Sequence, residues 1–289
     1  MSESGFTRKR IDMTITLGTG VGGDTVGDTV TLSWLRTTAE LIYAGGDSMG
    51  ALQLRVFGLP EAMMNRLTTI GYVNAAIKGK NSILLAAGDD ENGMQTVFIG
   101  TIYDAWADYN NAPDVAFNIV ANAGMVALVK PVAALSYKGT TDVATIMTGL
   151  AATMGLTLQN NGVDVKLSNP YFPGTALTQM RACARAANIN ATVDLGTLTI
   201  WPKTGSRAGT VPLISPTTGM IGYPTLNSMG MIVRTLFNGN IKPGAKVQIN
   251  SAIPMACGTW HVGPLSHSLS SELPGGPWFT KFQCSHVTN

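Results

Sequence analysis

The chain has 289 residues, with 19 Lys or Arg against 17 Asp or Glu, so its formal net charge is +2 at pH 7. This length can bury a full core and accommodates two or three domains without disulfide staples. Only 12% of the residues are charged and 33 are Gly, which favours many turns and extended segments over long surface helices. No apolar run is long enough to cross a bilayer, because Lys130 and Pro131 interrupt the best candidate, Ala123 to Leu135.

The first 125 residues predict a small β-domain. Residues 10–17 alternate polar and apolar side chains as a strand does, a Gly-rich turn follows at 18–28, and Thr29 to Tyr43 forms a second extended segment. The proline and helix formers of Pro60 to Leu67 predict a short helix. Further strands are expected at Ala51 to Phe57, Ser82 to Ala87, Thr96 to Tyr103 and Val115 to Ala121. Strands at this spacing are typical of a small barrel or sandwich.

The middle third has a different pattern. Apolar side chains at helical spacing predict helices over Thr141 to Met154, ended by Gly155, and over about Thr175 to Ala187. Short strands are expected between and after these helices, at Leu156 to Leu158, Val163 to Leu167, Ala191 to Val193 and Leu198 to Trp201. This order predicts a compact α+β unit with its helices on one face of a small sheet.

The first and last thirds share one order of strands and turns. Met49 to Phe57 corresponds to Met229 to Phe237, and each is followed by a strand, a strand that starts with glycine, a connection containing proline and a closing strand. Two copies with little identity are a weak signal of a repeat. We therefore predict an α+β, mainly β protein with three domains: a tube-like β-barrel at 1–125, an α+β insert at 126–206 and a second tube-like β-barrel at 207–289.

Several features could suggest catalysis, and each is better explained structurally. The glycines between Gly18 and Gly23 could cradle a phosphate, but a Thr/Val-rich strand follows them instead of the helix that a dinucleotide site needs. Asp104 and Asp108 are four residues apart, and Asp89 to Glu91 lies in a polar turn of the kind in which side chains bond their own backbone. A glycosidase needs two carboxyl groups across a cleft, and no cleft can be inferred from the sequence.

The histidines and cysteines do not have metal-site spacing. His261, His267 and His286 lie near Cys257 and Cys284 in the chain, but no ligand pair falls at i, i+2 or i, i+4 within an element. Cys183 lies on the predicted apolar face of a helix, where a thiol usually packs as a small hydrophobe. We expect no catalytic residue, no cofactor and no metal site. The cysteine spacing also fits synthesis and folding in a reducing cytosol.

The charges are unevenly distributed along the chain. Residues 1–194 hold 13 basic and 16 acidic side chains, whereas residues 195–289 hold six basic ones and a single acid, Glu272. A basic face could contact nucleic acid or an acidic protein. The five tryptophans, which could stack bases if they were interleaved with cations, are scattered over all three segments, and this favours packing in a core or at subunit contacts.

The chain resembles the hub proteins of bacteriophage tail baseplates over essentially its whole length. The resemblance rests on turn and core signatures that are specific as a set and weak singly. In the last third they are Pro212 to Pro224, Gly230 to Asn238, Pro243 to Ile249, Gly258 to Gly263, Leu265 to His267 and Leu273 to Trp278. Earlier ones are Leu35 to Glu40, Phe98 to Ile102, Asp142 to Met147 and Gly162 with Val163.

This resemblance implies a structural virion protein rather than an enzyme. It implies a homotrimeric ring of pseudo-sixfold symmetry at the tail baseplate, whose partners are the hexameric tail tube or a tube-initiator protein and the central spike. Its channel would pass the tape-measure protein and then DNA in transit. Closing such a ring would bury strand edges that otherwise aggregate.

Four residues are candidates for intersubunit or inter-barrel surfaces: Trp34, Met49, Met229 and Trp260. Three other functions stay open at this point. A tail-associated cell-wall hydrolase would release peptidoglycan fragments, and a nucleic-acid-binding module would show steep salt dependence. The hub of a non-phage contractile injection system would share the expected geometry.

Overall fold

The computed structural model describes residues 7–17, 29–45, 49–68, 81–124 and 132–286. Its helices are α1 (Glu61–Leu67), α2 (Val143–Met154) and α3 (Ala176–Ala186), with a short 3-10 turn at Pro254–Ala256. The strands of the N-terminal part are β1 (Lys9–Thr16), β2 (Thr29–Leu32), β3 (Thr37–Tyr43), β4 (Ala51–Phe57), β5 (Ser82–Asp89), β6 (Gly93–Asp108) and β7 (Ala116–Asn122).

The remaining strands lie in the middle and the C-terminal third. The middle strands are β8 (Leu135–Ser136), β9 (Thr140–Asp142), β10 (Thr157–Asn160), β11 (Lys166–Ser168), β12 (Tyr171–Phe172), β13 (Ile189–Asp194) and β14 (Thr197–Pro202). The C-terminal strands are β15 (Leu213–Ile214), β16 (Thr225–Asn227), β17 (Gly230–Leu236), β18 (Lys246–Ile249), β19 (Gly258–Ser271) and β20 (Trp278–His286). Strands outnumber helices throughout, which confirms the predicted class, α+β and mainly β.

The chain forms two compact units. The first comprises Met1–Leu41, Ala51–Ala123 and His267–Trp278, and the second comprises Ile42–Gly50, Gly124–Ser266 and Phe279–Asn289. Strands β3, β19 and β20 contribute residues to both. The predicted division into three domains at 1–125, 126–206 and 207–289 stays a prediction.

The first unit is built on strands in the order β3-β4-β7-β6-β5-β1-β2, and the pairings from β4 to β2 are all antiparallel. Alternate residues along these strands are buried, as expected where one face of a sheet packs a core and the other meets solvent. Members of this core are Ile11, Met13 and Ile15 of β1, Leu52, Leu54 and Val56 of β4, Ile83 and Leu85 of β5, and Phe117 and Ile119 of β7. Among the described strands no ladder closes this series, so barrel closure stays a prediction.

The middle of the chain forms an α+β layer within the second unit. Helices α2 and α3 pack on a three-stranded sheet of order β10-β14-β13 through a core that includes Ile146, Leu177 and Leu198. The α2 helix starts where Asp142 caps the amide of Ala144, and it ends at Gly155, whose φ of 71° suits a residue without a side chain. The predicted helix bounds therefore agree closely with the observed ones.

The expected recurrence of strand order is present. In the N-terminal set the order is β4-β7-β6-β5, and in the C-terminal set it is β17-β20-β19-β18. Along the chain, the first strand of each set pairs antiparallel with the last, β4 with β7 and β17 with β20. The third strand along the chain is the longest in each set, with 16 residues in β6 and 14 in β19. The sequence thus encodes one pairing scheme twice.

Candidate assembly surfaces

The acidic turn between β5 and β6 has a structural role. The Asp89 carboxylate accepts hydrogen bonds from the backbone amides of Glu91 and Asn92 and from the Asn92 side chain, at 2.6–3.0 Å. Partial burial alone would raise the pKa of Asp89, but these hydrogen bonds outweigh it and lower the pKa. The carboxylate therefore stabilises the hairpin, as the turn interpretation predicted.

The described residues contain no group of three or more His, Cys, Asp or Glu side chains that could hold a metal ion. Burial raises the pKa of Cys183 and Cys284 to about 12, so both thiols stay protonated and pack as small apolar groups. His267 is also buried, and the lost solvation lowers its pKa to about 4. The Gly18 to Gly23 loop and the His286 side chain lie outside the described residues.

Trp34 is held in an unusual position in the first unit. Its φ of 61° lies in the left-handed region that residues with side chains rarely adopt, and it separates β2 from β3. The guanidinium groups of Arg8 and Arg10 lie 4.5 Å and 4.7 Å from its ring centroid. Arg8 also donates two hydrogen bonds of 2.8 Å to Glu272. Trp34 is 42% exposed, so this stacked aromatic residue is accessible on the surface.

A groove of about 640 Å³ lies beside Trp34, which is one of its lining residues. Phe57, Leu59 and Tyr109 are among the side chains that line it. Arg36 and Asp114 also line it; the Arg36 guanidinium lies 4.0 Å from the Phe57 ring and forms an ion pair of 3.0 Å with Asp114. The groove is therefore lined by both apolar and charged side chains, a mixture found at protein–protein contacts.

Exposed apolar side chains also gather around β16 and β17. Met229, in the turn between these two strands, is 74% exposed, and Tyr223 is 70% exposed. Leu226 and Leu236 add further exposed apolar surface. All three residues of β16 are exposed, and among the described strands β16 ends its series. Such an edge with exposed apolar groups is typical of a surface that another chain covers.

The other two predicted interface residues are more enclosed. Trp260 is 6% exposed, and its indole nitrogen donates a hydrogen bond of 2.9 Å to the carbonyl of Ala256. Met49 is partly buried against the core of the α+β layer. Replacing the buried Trp260 by Asp would therefore disturb folding as well as association. A substitution at the exposed Met229 tests association directly. The four residues remain candidates.

One buried cluster had no signal in the sequence. Arg207, in the segment after β14, lies 3.4 Å from a carboxylate oxygen of Asp194, and its guanidinium also contacts Thr199 and the carbonyl of Pro243. Both charged side chains are almost fully buried. Their contacts fix the segment that leads from the α+β layer to the C-terminal strands.

Comparison with known proteins decides the family. A family profile described as Baseplate hub gp41 matches residues 55–284. The chain belongs to the baseplate hub gp41 family. It is accordingly a structural component of a phage tail baseplate and not an enzyme, as predicted, which removes the cell-wall hydrolase alternative. No curated protein matches the chain.

Solved structures show how widely the fold of this hub protein is shared. The tail protein from Neisseria meningitidis MC58 is 11% identical over 96% of each chain, with a TM-score of 0.62. The 43 kDa tail protein of prophage MuSo2 from Shewanella oneidensis is 10% identical over 96% of this chain and 97% of its own, with a TM-score of 0.58.

A third neighbour comes from a secretion system. The E. coli c3393 protein, described as a component of the type VI secretion system, is 7% identical over 88% of this chain and 74% of its own, with a TM-score of 0.56. At these identities the likeness concerns the fold alone.

In the part of the chain that the structure describes, no helix is long and apolar enough to cross a membrane.

Proposed function

We propose that three copies of this hub protein form a ring of pseudo-sixfold symmetry that connects the hexameric tail tube, or a tube-initiator protein, to the trimeric spike. The recurrence of one strand order, β4-β7-β6-β5 and β17-β20-β19-β18, carries the proposal. Three chains with two such sets each present six similar elements to a sixfold partner and keep threefold symmetry for the spike. Each set would close into a tube-like barrel, at 1–125 and 207–289.

The central opening of this ring would pass the tape-measure protein and then DNA in transit. The α+β insert, residues 126–206 in the proposed division, would decorate the outside of the ring. Synthesis in the host cytoplasm fits the three free thiols. Family membership supports the position in the virion, and the likeness to a type VI secretion component fits a geometry common to both kinds of machine.

The ring requires contacts between different surfaces of neighbouring copies, since a head-to-tail interface closes a cyclic trimer. The exposed apolar surface around Met229 and the groove beside Trp34 are the two candidate sides of that contact. Met49 and Trp260 stay candidates for intersubunit or inter-barrel surfaces. A buried, mainly apolar contact suits a chain with few charges.

Rotationally averaged electron micrographs of the purified protein test this function. We expect a ring of three chains with six similar lobes around a channel. A ring with twofold symmetry, or one built from six chains, would contradict the proposal.

Light scattering on a Met229→Glu variant tests the contact itself. We expect the mass to fall from that of a trimer to that of a monomer, because burying a carboxylate in an apolar interface is costly. Lys166→Glu, on strand β11 of the α+β layer, adds an acid in an exposed position and should remain trimeric. A Met229→Glu variant that stays trimeric, as Lys166→Glu should, would remove Met229 from the interface.

A further inference from the structure

The second unit contains a pocket whose lining includes none of the residues assigned above to the candidate assembly surfaces. Its volume is about 280 Å³, and Trp201 and Val262 supply part of its apolar wall. Lys203, His261 and the hydroxyl-bearing Thr192 and Thr204 also line it. A pocket of this size admits one small polar group and is below the usual range for larger organic ligands.

Basic side chains lie in and beside this pocket. His261 on β19 lies directly opposite Lys246 on β18, so the two side chains share one face of the sheet. The Lys203 ammonium group, which donates a hydrogen bond of 2.9 Å to Asn190, lies on the same pocket. No Asp or Glu is among the lining residues. The nearby carboxylate of Asp194 is already held by Arg207.

Lys203 and His261 line the pocket with no acidic residue among its lining, and Lys246 lies opposite His261. A protonated His261 would face the ammonium group of Lys246 across the two strands, and like charges in this arrangement repel each other. Burial, and then the charge of Lys246, lower the pKa of His261 below its usual value. An anion in the pocket would remove the repulsion and favour the imidazolium.

We propose that this pocket binds an oxyanion, the phosphate or carboxylate group of a ligand, through Lys203 and His261. The ammonium and imidazolium groups would donate charge-assisted hydrogen bonds to its oxygens, and the hydroxyls of Thr192 and Thr204 would complete the site. Trp201 is positioned beside it by Gly244, where a side chain would collide with the indole ring. The absence of a side chain at Gly244 therefore leaves the space that the Trp201 ring occupies in the pocket wall.

NMR titration of His261 tests the site with two probes, inorganic phosphate and N-acetylglutamate amide, at constant ionic strength. Binding of either should raise the pKa of His261 by about half a unit to one unit, as a nearby opposite charge does. His267, which does not line the pocket, should keep its pKa. A response to phosphate alone identifies a free phosphate as the ligand class, and a response to the carboxylate probe identifies an acidic side chain.

Two variants make the test specific. Lys203→Gln keeps most of the side-chain volume and removes the charge, so it should weaken binding of the effective probe by about tenfold. Lys166→Gln removes the same charge outside the pocket and should bind as the parent protein does. No shift of His261 with either probe, or equal weakening in both variants, would overturn the proposal. The outcome is independent of whether the protein forms a ring.

Discussion

At the scale of single residues, the buried ion pair of Arg207 and Asp194 should control the stability of the second unit. Replacing Arg207 by Met leaves the Asp194 carboxylate buried without its partner. Removing one member of such a pair typically costs about 3–5 kcal/mol. We therefore expect urea denaturation of Arg207→Met to show a loss of free energy of unfolding of about 3 kcal/mol.

Two comparisons isolate the charge effect. Arg185→Met changes the same residue type at an exposed position on α3 and should alter stability by less than about 0.5 kcal/mol. Adding Asp194→Asn to Arg207→Met removes the orphaned charge and should recover part of the loss. If adding Asp194→Asn lowered the free energy of unfolding further instead of recovering part of the loss, the ion-pair explanation would be wrong.

His267 should make stability depend on pH in a defined window. Burial lowers its pKa to about 4 in the folded chain, against an ordinary value of 6.5. Between these values the unfolded chain binds a proton that the folded chain does not, so stability is full above pH 6.5 and falls as the pH falls towards 4. At pH 5 the loss should be about 2 kcal/mol.

The difference between the parent protein and His267→Gln measures this contribution, because other titrating groups cancel. Urea denaturation at pH 7 and pH 5 should show the parent losing about 2 kcal/mol more than the variant. His261→Gln, at a partly buried imidazole, should remove a smaller part of the pH dependence. Parallel losses in the parent and His267→Gln would exclude His267 as the source.

Residues that act over long sequence separations could not be predicted. Arg8 binds Glu272 across 264 positions, and Arg207 reaches Asp194 only because the chain turns back after β14, where the Gly205 amide donates to the Pro202 carbonyl. Neither pair forms a local motif. By contrast, the role of Asp89 was predictable, because the groups it bonds lie two and three residues away.

At the scale of secondary-structure elements, the start of α2 provides a direct test. The Asp142 side chain accepts a 2.8 Å hydrogen bond from the amide of Ala144. Asp142→Ala removes this cap and should cost about 1 kcal/mol in thermal or urea unfolding. Asp142→Asn keeps an oxygen acceptor and should cost only a few tenths. Equal losses in the two variants would show that the capping hydrogen bond does not stabilise the helix.

Elements set by local signals were predictable, and those set by distant partners were less so. The bounds of α2 follow from Asp142 and Gly155, both visible in the sequence. The segment Thr29 to Tyr43 was expected to be one extended stretch, but it divides at Trp34, whose left-handed backbone is accompanied by stacking against Arg8 and Arg10. Strand β6 extends to Asp108, beyond the expected Tyr103, because β7 pairs with its second half.

At the scale of the whole molecule, the recurrence of strand order was predictable despite little identity. The alternation of buried and exposed side chains and the glycines at strand starts determine which strands pair. The shared order can therefore be recognised although few residues are identical. What the sequence does not specify is which exposed surfaces meet in an assembly. That depends on the accessible positions of Met229 and Trp34, which appear only after folding.

The association of the proposed ring should resist salt. Its candidate surfaces are apolar, with Tyr223 and Met229 largely exposed in the single chain, and hydrophobic contacts do not weaken as charges are screened. Between 0.1 M and 1 M NaCl the Debye length falls from about 10 Å to about 3 Å, which removes most attraction between exposed charges. We expect the dissociation constant of the trimer, measured by sedimentation, to change by less than about tenfold over this range. A ring held by the acidic first two-thirds and the basic last third would instead dissociate in 1 M NaCl, and Met229→Glu would then have little further effect.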